Sequence, residues 1–464
     1  MPESQSVQSP SSGRTKSPLV LAIWAAADKV LPMIYGIAVI IIPLRILSPE
    51  EWGAWTIFQV VFMVIVLVGD FFVLQPMVKI AAEGKEDPRP VITAAFLLYA
   101  AFTLVLGLIV TLGRGLFAPL LKSPLVAESF LLMTLLVLTN VVRTVAIRVL
   151  QISYRIVAIF FVDLVYFAIL VALMVLGEID GTFRTSVTFV NYNVIAFTAS
   201  SVLGVIVCGR LLRPTFRNFM PSLRRLLDLG IHQGGTGMLT VLQQQSDVII
   251  VSGLKGSVAA GLYNAARTFY RFFDSVRDAV QLLLVPATSR AYSQKRIEAV
   301  EEVTELATAA VAALMIPLTI VMIALAPWIV PFVLHKPDAV EEFQLLMAGG
   351  FAMPFVIVPS AVLLGIGHTR DLYRGTLIGT AVLILGGLVL TWFMGTEGMA
   401  TAVLLGTTVT AVLLTQRMNR YVPFTIRSVL RRSRSFGPLV RGRIAQFSLS
   451  LRKTPSRGGG EGNA

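Results

Sequence analysis

Apolar residues run along the chain in twelve long stretches, near 18–47, 53–78, 91–113, 126–150, 156–177, 186–209, 230–253, 257–287, 304–334, 343–366, 375–395 and 398–416. A helix crosses the hydrocarbon of a bilayer with about 20 apolar residues, so each stretch predicts one transmembrane helix. The polar gaps between them are too short to fold as domains. The expected class is therefore an all-α polytopic membrane protein of about twelve helices. A polar, Ser/Pro-rich segment at 1–17 lacks the apolar core and small-residue cleavage site of a secretory signal and reads as a disordered cytoplasmic tail.

The stretches also repeat. R-I-L-S-P-E-E-W-G-A-W-T joins the first to the second, and S-G-L-K-G-S-V-A-A-G-L-Y-N joins the seventh to the eighth. At a constant offset of 208, Gly53 meets Gly261, Trp55 meets Tyr263, Gln59 meets Arg267 and Asp70 meets Asp278. A run of matches at the same place in each half points to an internal duplication. Two six-helix lobes are expected, 18–210 and 230–416, related by a pseudo-twofold axis along the membrane normal with a cavity between them. The segment between them, 211–229, mixes Arg with Phe and Leu and is too polar to span, which predicts an amphipathic link on the cytoplasmic surface.

Composition and charge sharpen this picture. Of 464 residues, 55% are hydrophobic and only 14% charged, with mean hydropathy +0.78, where soluble domains carry roughly 25% charge. A soluble enzyme is excluded. Lys and Arg accumulate on the cytoplasmic side of a membrane. With both termini cytoplasmic, 28 of the 39 fall on that side, five in periplasmic loops, and six within or at the edges of spans. The net charge of +13 is thus topogenic rather than a sign of nucleic-acid binding. The tail 417–464, with eleven basic residues and the single acid Glu461, is expected to attract anionic lipid. One cysteine, Cys208, and three scattered histidines (His232, His335, His368) form no metal-ligand pattern. No hydrolase, phosphate-loop or zinc-protease motif is present, and no cofactor is expected.

Charge inside a span is costly and usually faces a bundle interior or watery cavity. In the eighth span Tyr263, Arg267, Arg271, Asp274, Asp278 and Gln281 lie within about 40° of one line at helical spacing, a stripe that cannot face lipid. Its structural alternative is pairing of Arg267 or Arg271 with Asp274. The seventh span carries Thr236, Thr240, Gln243 and Asp247 on one face. The first holds adjacent Asp28 and Lys29, with Pro32 and Gly36 beyond. Asp70, Asp163 and Arg143 stand as lone charges in the second, fifth and fourth spans, equally ion-pair members or substrate contacts. The glycine pairs Gly349-Gly350 and Gly386-Gly387 predict close helix packing.

R-I-L-S-P-E-E-W-G-A-W-T followed by an apolar helix with G-D-F-F, and D-V-I-I-V-S-G-L-K-G-S-V-A-A-G-L-Y-N-A-A-R followed by L-L-L-V-P-A-T-S-R, resemble the two halves of bacterial polysaccharide-biosynthesis membrane proteins. These are the Wzx-type flippases of the polysaccharide transporter family, in the multidrug/oligosaccharidyl-lipid/polysaccharide exporter superfamily. The resemblance implies transfer of undecaprenyl-diphosphate-linked oligosaccharide from the inner to the outer leaflet of the bacterial inner membrane, for surface or exopolysaccharide synthesis, with polysaccharide assembly proteins as further partners. Peptidoglycan-precursor flippases of the superfamily typically carry two more spans than the twelve counted here. On this reading Arg267, Arg271, Lys29, Arg143, Gln243 and Tyr263 are the substrate-binding candidates, since guanidinium forks match phosphate oxygens. Without a nucleotide-binding motif, uphill transport draws on sodium, a proton gradient, the membrane potential, or consumption of the product. A coupling acid should lack a basic neighbour on its own helix face. Asp70 and Asp247 meet that condition and lead Asp278 and Asp28. The alternatives are a cation-coupled drug exporter of the same fold and, from another class, a membrane-embedded glycan polymerase or ligase, which needs a larger outer loop than any here.

Overall fold

The computed structural model describes residues 39, 41–83, 87–121, 123–153, 155–334 and 339–423. Asp28, Lys29, Pro32, Gly36, all of 1–17, the C-terminal tail beyond residue 423 and most of the first apolar stretch lie outside those residues. Helix α1 (Pro49–Gly69) continues through a π-helical turn (Asp70–Leu74) into α2 (Gln75–Ala82). There follow α3 (Arg89–Leu120), α4 (Pro124–Phe130), α5 (Met133–Ile152), α6 (Ile156–Ile179) and α7 (Ser186–Cys208). Two helices of 37 residues come next, α8 (Phe219–Lys255) and α9 (Ser257–Ser293), then α10 (Ile297–Leu334), α11 (Val340–Ala348), α12 (Pro354–Gly365), α13 (Thr369–Met394) and α14 (Thr396–Met418).

Among the described residues, eight helices are long and apolar enough to cross a bilayer. They become nine if Val340–Phe351 and Pro354–Gly365, bent by 43° at their junction, form one broken span. Twelve apolar spans were expected. The first stretch is largely outside the described residues, and the seventh and eighth form α8 and α9, long helices too polar to meet the same test. Helices of that length with polar faces pay for burial only where they face something other than lipid.

The chain divides into two compact units between Leu262 and Tyr263, later than the 211–229 boundary read from the sequence. The reason is visible in α8. Residues 219–229 are not a separate surface link but the first three turns of this helix, with Ser222, Leu226, Gly230 and Gly234 buried at helical spacing. Phe216, Met220, Leu227 and Ile231 remain exposed on other sides.

In the first unit, S-P-E-E builds the start of α1. The Ser48 hydroxyl accepts from the Glu51 amide at 3.3 Å, Pro49 opens the helix and acids fill its first turn. Glu51 then reaches the start of α7, where its Oε2 accepts from the Ser186 amide at 2.7 Å and hydroxyl at 2.6 Å. Along the buried face of α1, Trp55 packs on Phe189 with ring centroids 4.2 Å apart, Phe58 on Phe130 and Phe62 on Phe197.

The second unit closes on the α13–α14 hairpin. A Cβ at Gly379 would meet the Thr410 hydroxyl and the Gly406 carbonyl, and one at Gly398 the Leu390 carbonyl, so the two backbones touch as small-residue seams allow. At its open end Arg417 Nη1 donates to Asp371 Oδ1 at 2.8 Å and the Tyr421 hydroxyl to Oδ2 at 2.7 Å. That hydrogen bond raises the Tyr421 phenol above its ordinary pKa. Gly349 and Gly350 do mark close packing, against Tyr270 and against Thr319 and Phe273, respectively.

Candidate functional site

The π-helical turn at Asp70 is the first irregularity in the bundle, and such turns often sit where function requires a break in helical register. Arg148 grips the Asp70 carboxylate bidentately, Nε to Oδ1 at 2.9 Å and Nη2 to Oδ2 at 2.7 Å, and Gln75 Nε2 adds a third donor at 3.1 Å. Asp70 is therefore an ion-pair member, one of the two readings open from the sequence. Arg148 reaches this buried acid from α5. The turn aims Phe71 and Phe72 at α8. A Cβ at Gly230 would strike the Phe72 carbonyl, at Gly234 the Phe72 ring, and at Gly237 the Phe71 ring. Thus G-D-F-F in one helix and G-I-H-Q-G-G-T-G in another are ridge and socket.

Arg143 and Asp163 are not lone either. They form an ion pair, with side chains 14% and 15% exposed. Arg143 Nε also donates to the Ser200 hydroxyl at 3.1 Å, and its guanidinium lies over the Tyr166 ring at 4.8 Å. The Tyr166 hydroxyl in turn donates to Asn193 Oδ1 at 2.8 Å. This network joins α5, α6 and α7 and occupies the charge that the sequence offered as a substrate contact.

On α8, Asp247 is 1% exposed and its Oδ1 accepts from the Val248 amide at 2.8 Å. Gln243 is half-buried. The side chains of His232 and Thr236 lie outside those described. Three neighbours that the sequence reading passed over, Gln245, Ser246 and Ser252, have buried polar atoms without a hydrogen-bond partner. For the first two the signal was the run Q-Q-Q-S-D in an otherwise apolar span. The α1 and α8–α9 segments also meet at the duplicated motif. Trp52 Nε1 donates to the Gly261 carbonyl at 2.9 Å, and a Cβ at Gly261 would lie 3.0 Å from Gly53 Cα. The two glycines matched at offset 208 therefore pack against each other.

In the second unit, the polar line of α9 is covered at one end and open at the other. Tyr263 is fully buried and Arg267 is 8% exposed. Arg271, Asp274 and Gln281 are half-buried, and Asp278 is exposed. Arg271 Nη2 lies 3.4 Å from Asn264 Oδ1. Asp274 pairs with Arg277 on its own helix, where the sequence offered Arg267 or Arg271 as its partner. The arrangement keeps two guanidinium groups along one helix face, with a self-neutralised pair below them. Guanidinium groups so placed are of a type that can contact anions, and among the described residues no group of His, Cys, Asp and Glu could hold a metal ion.

A sequence model of the family described as "Polysaccharide biosynthesis protein" matches residues 43–337, more than half of the chain. The chain belongs to that family. No curated protein matches it. Among solved structures, this polysaccharide biosynthesis protein is similar to a lipid II flippase, MurJ, in an inward closed conformation. The TM-score is 0.71 at 12% identity, covering 95% of this chain and 94% of that one. A multidrug resistance MATE transporter of the MOP superfamily in an inward-facing conformation gives 0.70 at 14% identity, over 86% and 97%. A MOP superfamily transporter from Pyrococcus furiosus gives 0.60 at 14%, over 87% and 94%. The polysaccharide biosynthesis protein therefore has the fold of these multi-pass membrane transporters. Both of its quoted motifs, 45–80 and 247–290, fall within the family match.

Proposed function

We propose that this polysaccharide biosynthesis protein is a flippase that carries undecaprenyl-diphosphate-linked oligosaccharide from the inner to the outer leaflet of the bacterial inner membrane by alternating access. The observation that carries the reading is the α9 line, where Arg267 and Arg271 stand on one face of a helix too polar to face lipid, in a chain of this family and fold. A lipid diphosphate brings negative oxygens into a low-dielectric environment, where charge-assisted, bidentate contacts are strongest. The glycan needs a polar path, and the isoprenoid chain remains in the bilayer. Both termini are placed in the cytoplasm by the Lys/Arg distribution, and the basic tail is assigned to anionic lipid. Polysaccharide assembly proteins are the further partners of this scheme. Gln243 and Tyr263 are assigned to the substrate path. Lys29 keeps the same assignment from sequence alone, and Arg143 loses priority because it is already paired.

Cells relying on this protein for export provide the test. Arg267→Ala and Arg271→Ala should abolish outer-leaflet glycan at unchanged protein content in the membrane, with Arg271→Lys retaining a fraction. Full export by both alanine variants would remove the arginines from the substrate path. Export of cationic drugs without glycan transfer would favour the drug-exporter alternative.

A further inference from the structure

Toward the ends of α1 and α8 that the charge distribution assigns to the periplasm, the first unit holds an apolar cavity of about 200 Å³. Its walls come from Ile57 and Val60 of α1, Val110 of α3, Phe130 of α4 and Val248 of α8, all buried. Ile249, at the rim, is 44% exposed, and Leu112 and Leu116 of α3 stand exposed as residues facing lipid do. What adjoins the cavity is therefore hydrocarbon. A dry cavity of about 150 Å³ accepts a six-carbon ring, so this one has room for roughly eight carbons of one chain. Among the described residues that line it, Ser252 alone is polar. Ser252 is 1% exposed, and its hydroxyl has no hydrogen-bond partner. An unpartnered hydroxyl beside an apolar cavity is costly unless a ligand brings it an acceptor.

The position of that hydroxyl selects among lipids. Ser252 lies three residues before Lys255, which ends α8 and is exposed. About 4.5 Å of helix axis therefore separates a phosphate held at Lys255 from the mouth of the cavity. An isoprenoid phosphate spans that gap with one C–O–P link and enters as a single chain. A glycerophospholipid interposes a glycerol and an ester, and it brings a second chain for which the cavity has no room. We propose that the cavity binds the first isoprene units of an isoprenoid lipid whose headgroup has reached the outer leaflet, with the Ser252 hydroxyl donating to the oxygen between chain and phosphate. The identity of this occupant rests on the flippase reading. In that scheme the cavity holds the chain of the transferred lipid before it leaves the protein.

The test uses the full chain in phosphatidylethanolamine nanodiscs with a photoreactive undecaprenyl phosphate that carries a diazirine on its first isoprene unit, followed by peptide mapping. Adducts are expected on α1 at 57–61 and on α8 at 248–252, displaced by unlabelled undecaprenyl phosphate and not by added phosphatidylglycerol. Ile249→Trp, which blocks the rim from the lipid side, and Val60→Trp, which fills the floor, should each abolish them. Ser252→Ala should lower labelling about fivefold, the loss of one neutral hydrogen bond, and Ser252→Thr should restore it. Adducts confined to other parts of the chain, displacement by phosphatidylglycerol, or labelling indifferent to both tryptophans would overturn the proposal. Glycan translocation in proteoliposomes separates the site from the flippase reading. Translocation by a protein that takes no label at 57–61 or 248–252 would remove the cavity site alone. Label at those residues in a protein that moves no glycan would remove the flippase reading alone.

Discussion

At the scale of single residues, the structure pairs charges that the sequence presents as solitary. Neighbours at i±3 and i±4 are the only partners a helical projection can supply. Arg148 lies 78 positions from Asp70, and Asp163 lies 20 from Arg143, so neither partner was legible without the tertiary packing. Arg148 supplies Asp70 with the basic neighbour that its own helix face lacks, so of the two leading coupling acids we carry Asp247 forward to the test. Removing one member of a buried ion pair strands the other at about 3–5 kcal/mol, whereas replacing both with apolar groups is often neutral. Partial exposure of Arg143 and Asp163 puts this pair at the low end, about 3 kcal/mol. Arg143→Ala should thus lower stability in detergent unfolding, and Arg143→Met with Asp163→Leu should recover most of it. A double variant as weak as the single would show that Arg143 holds something other than Asp163. Asp247→Asn is expected to make transport insensitive to the driving gradient, read as translocation under imposed pH and sodium gradients. Unchanged gradient dependence would eliminate Asp247.

At the scale of helices, periodicity and length located every span that lies among the described residues, because a bilayer imposes both on an apolar segment. What they could not show was the register between helices. The glycines at 230, 234 and 237 read as small residues in a polar stretch, yet their role follows from Phe71 and Phe72, which arrive from the π-helical turn after α1. Phe71→Cys with Gly237→Cys, in the Cys208→Ser background, should form a disulfide under mild oxidation. Gly234→Leu should suppress the cross-link, since the added atoms overlap the Phe72 ring, at a cost of about 1–3 kcal/mol for an overfilled contact. Equal cross-linking with and without Gly234→Leu would contradict the ridge-and-socket packing.

At the scale of the whole molecule, the duplicated motif was the most informative part of the sequence. It led to Gly53 and Gly261, which pack together in the structure. The first-unit boundary was less legible, because hydropathy cannot say with which helices α8 packs. The charge distribution makes a topological claim: residue 220 faces the cytoplasm, as do both termini. A cysteine placed there in a Cys208→Ser chain should be labelled by an impermeant reagent only when the inner face is opened. Labelling from outside would reverse the orientation. The central claim is lipid-linked glycan transfer, and proteoliposomes measure it directly. Vesicles holding the purified protein and an undecaprenyl-diphosphate oligosaccharide in one leaflet should show the glycan becoming accessible to an enzyme on the other side, at a rate that falls to the protein-free background with Arg267→Ala and Arg271→Ala combined. Translocation no faster with the parent protein than in empty vesicles, across every imposed gradient, would contradict the account.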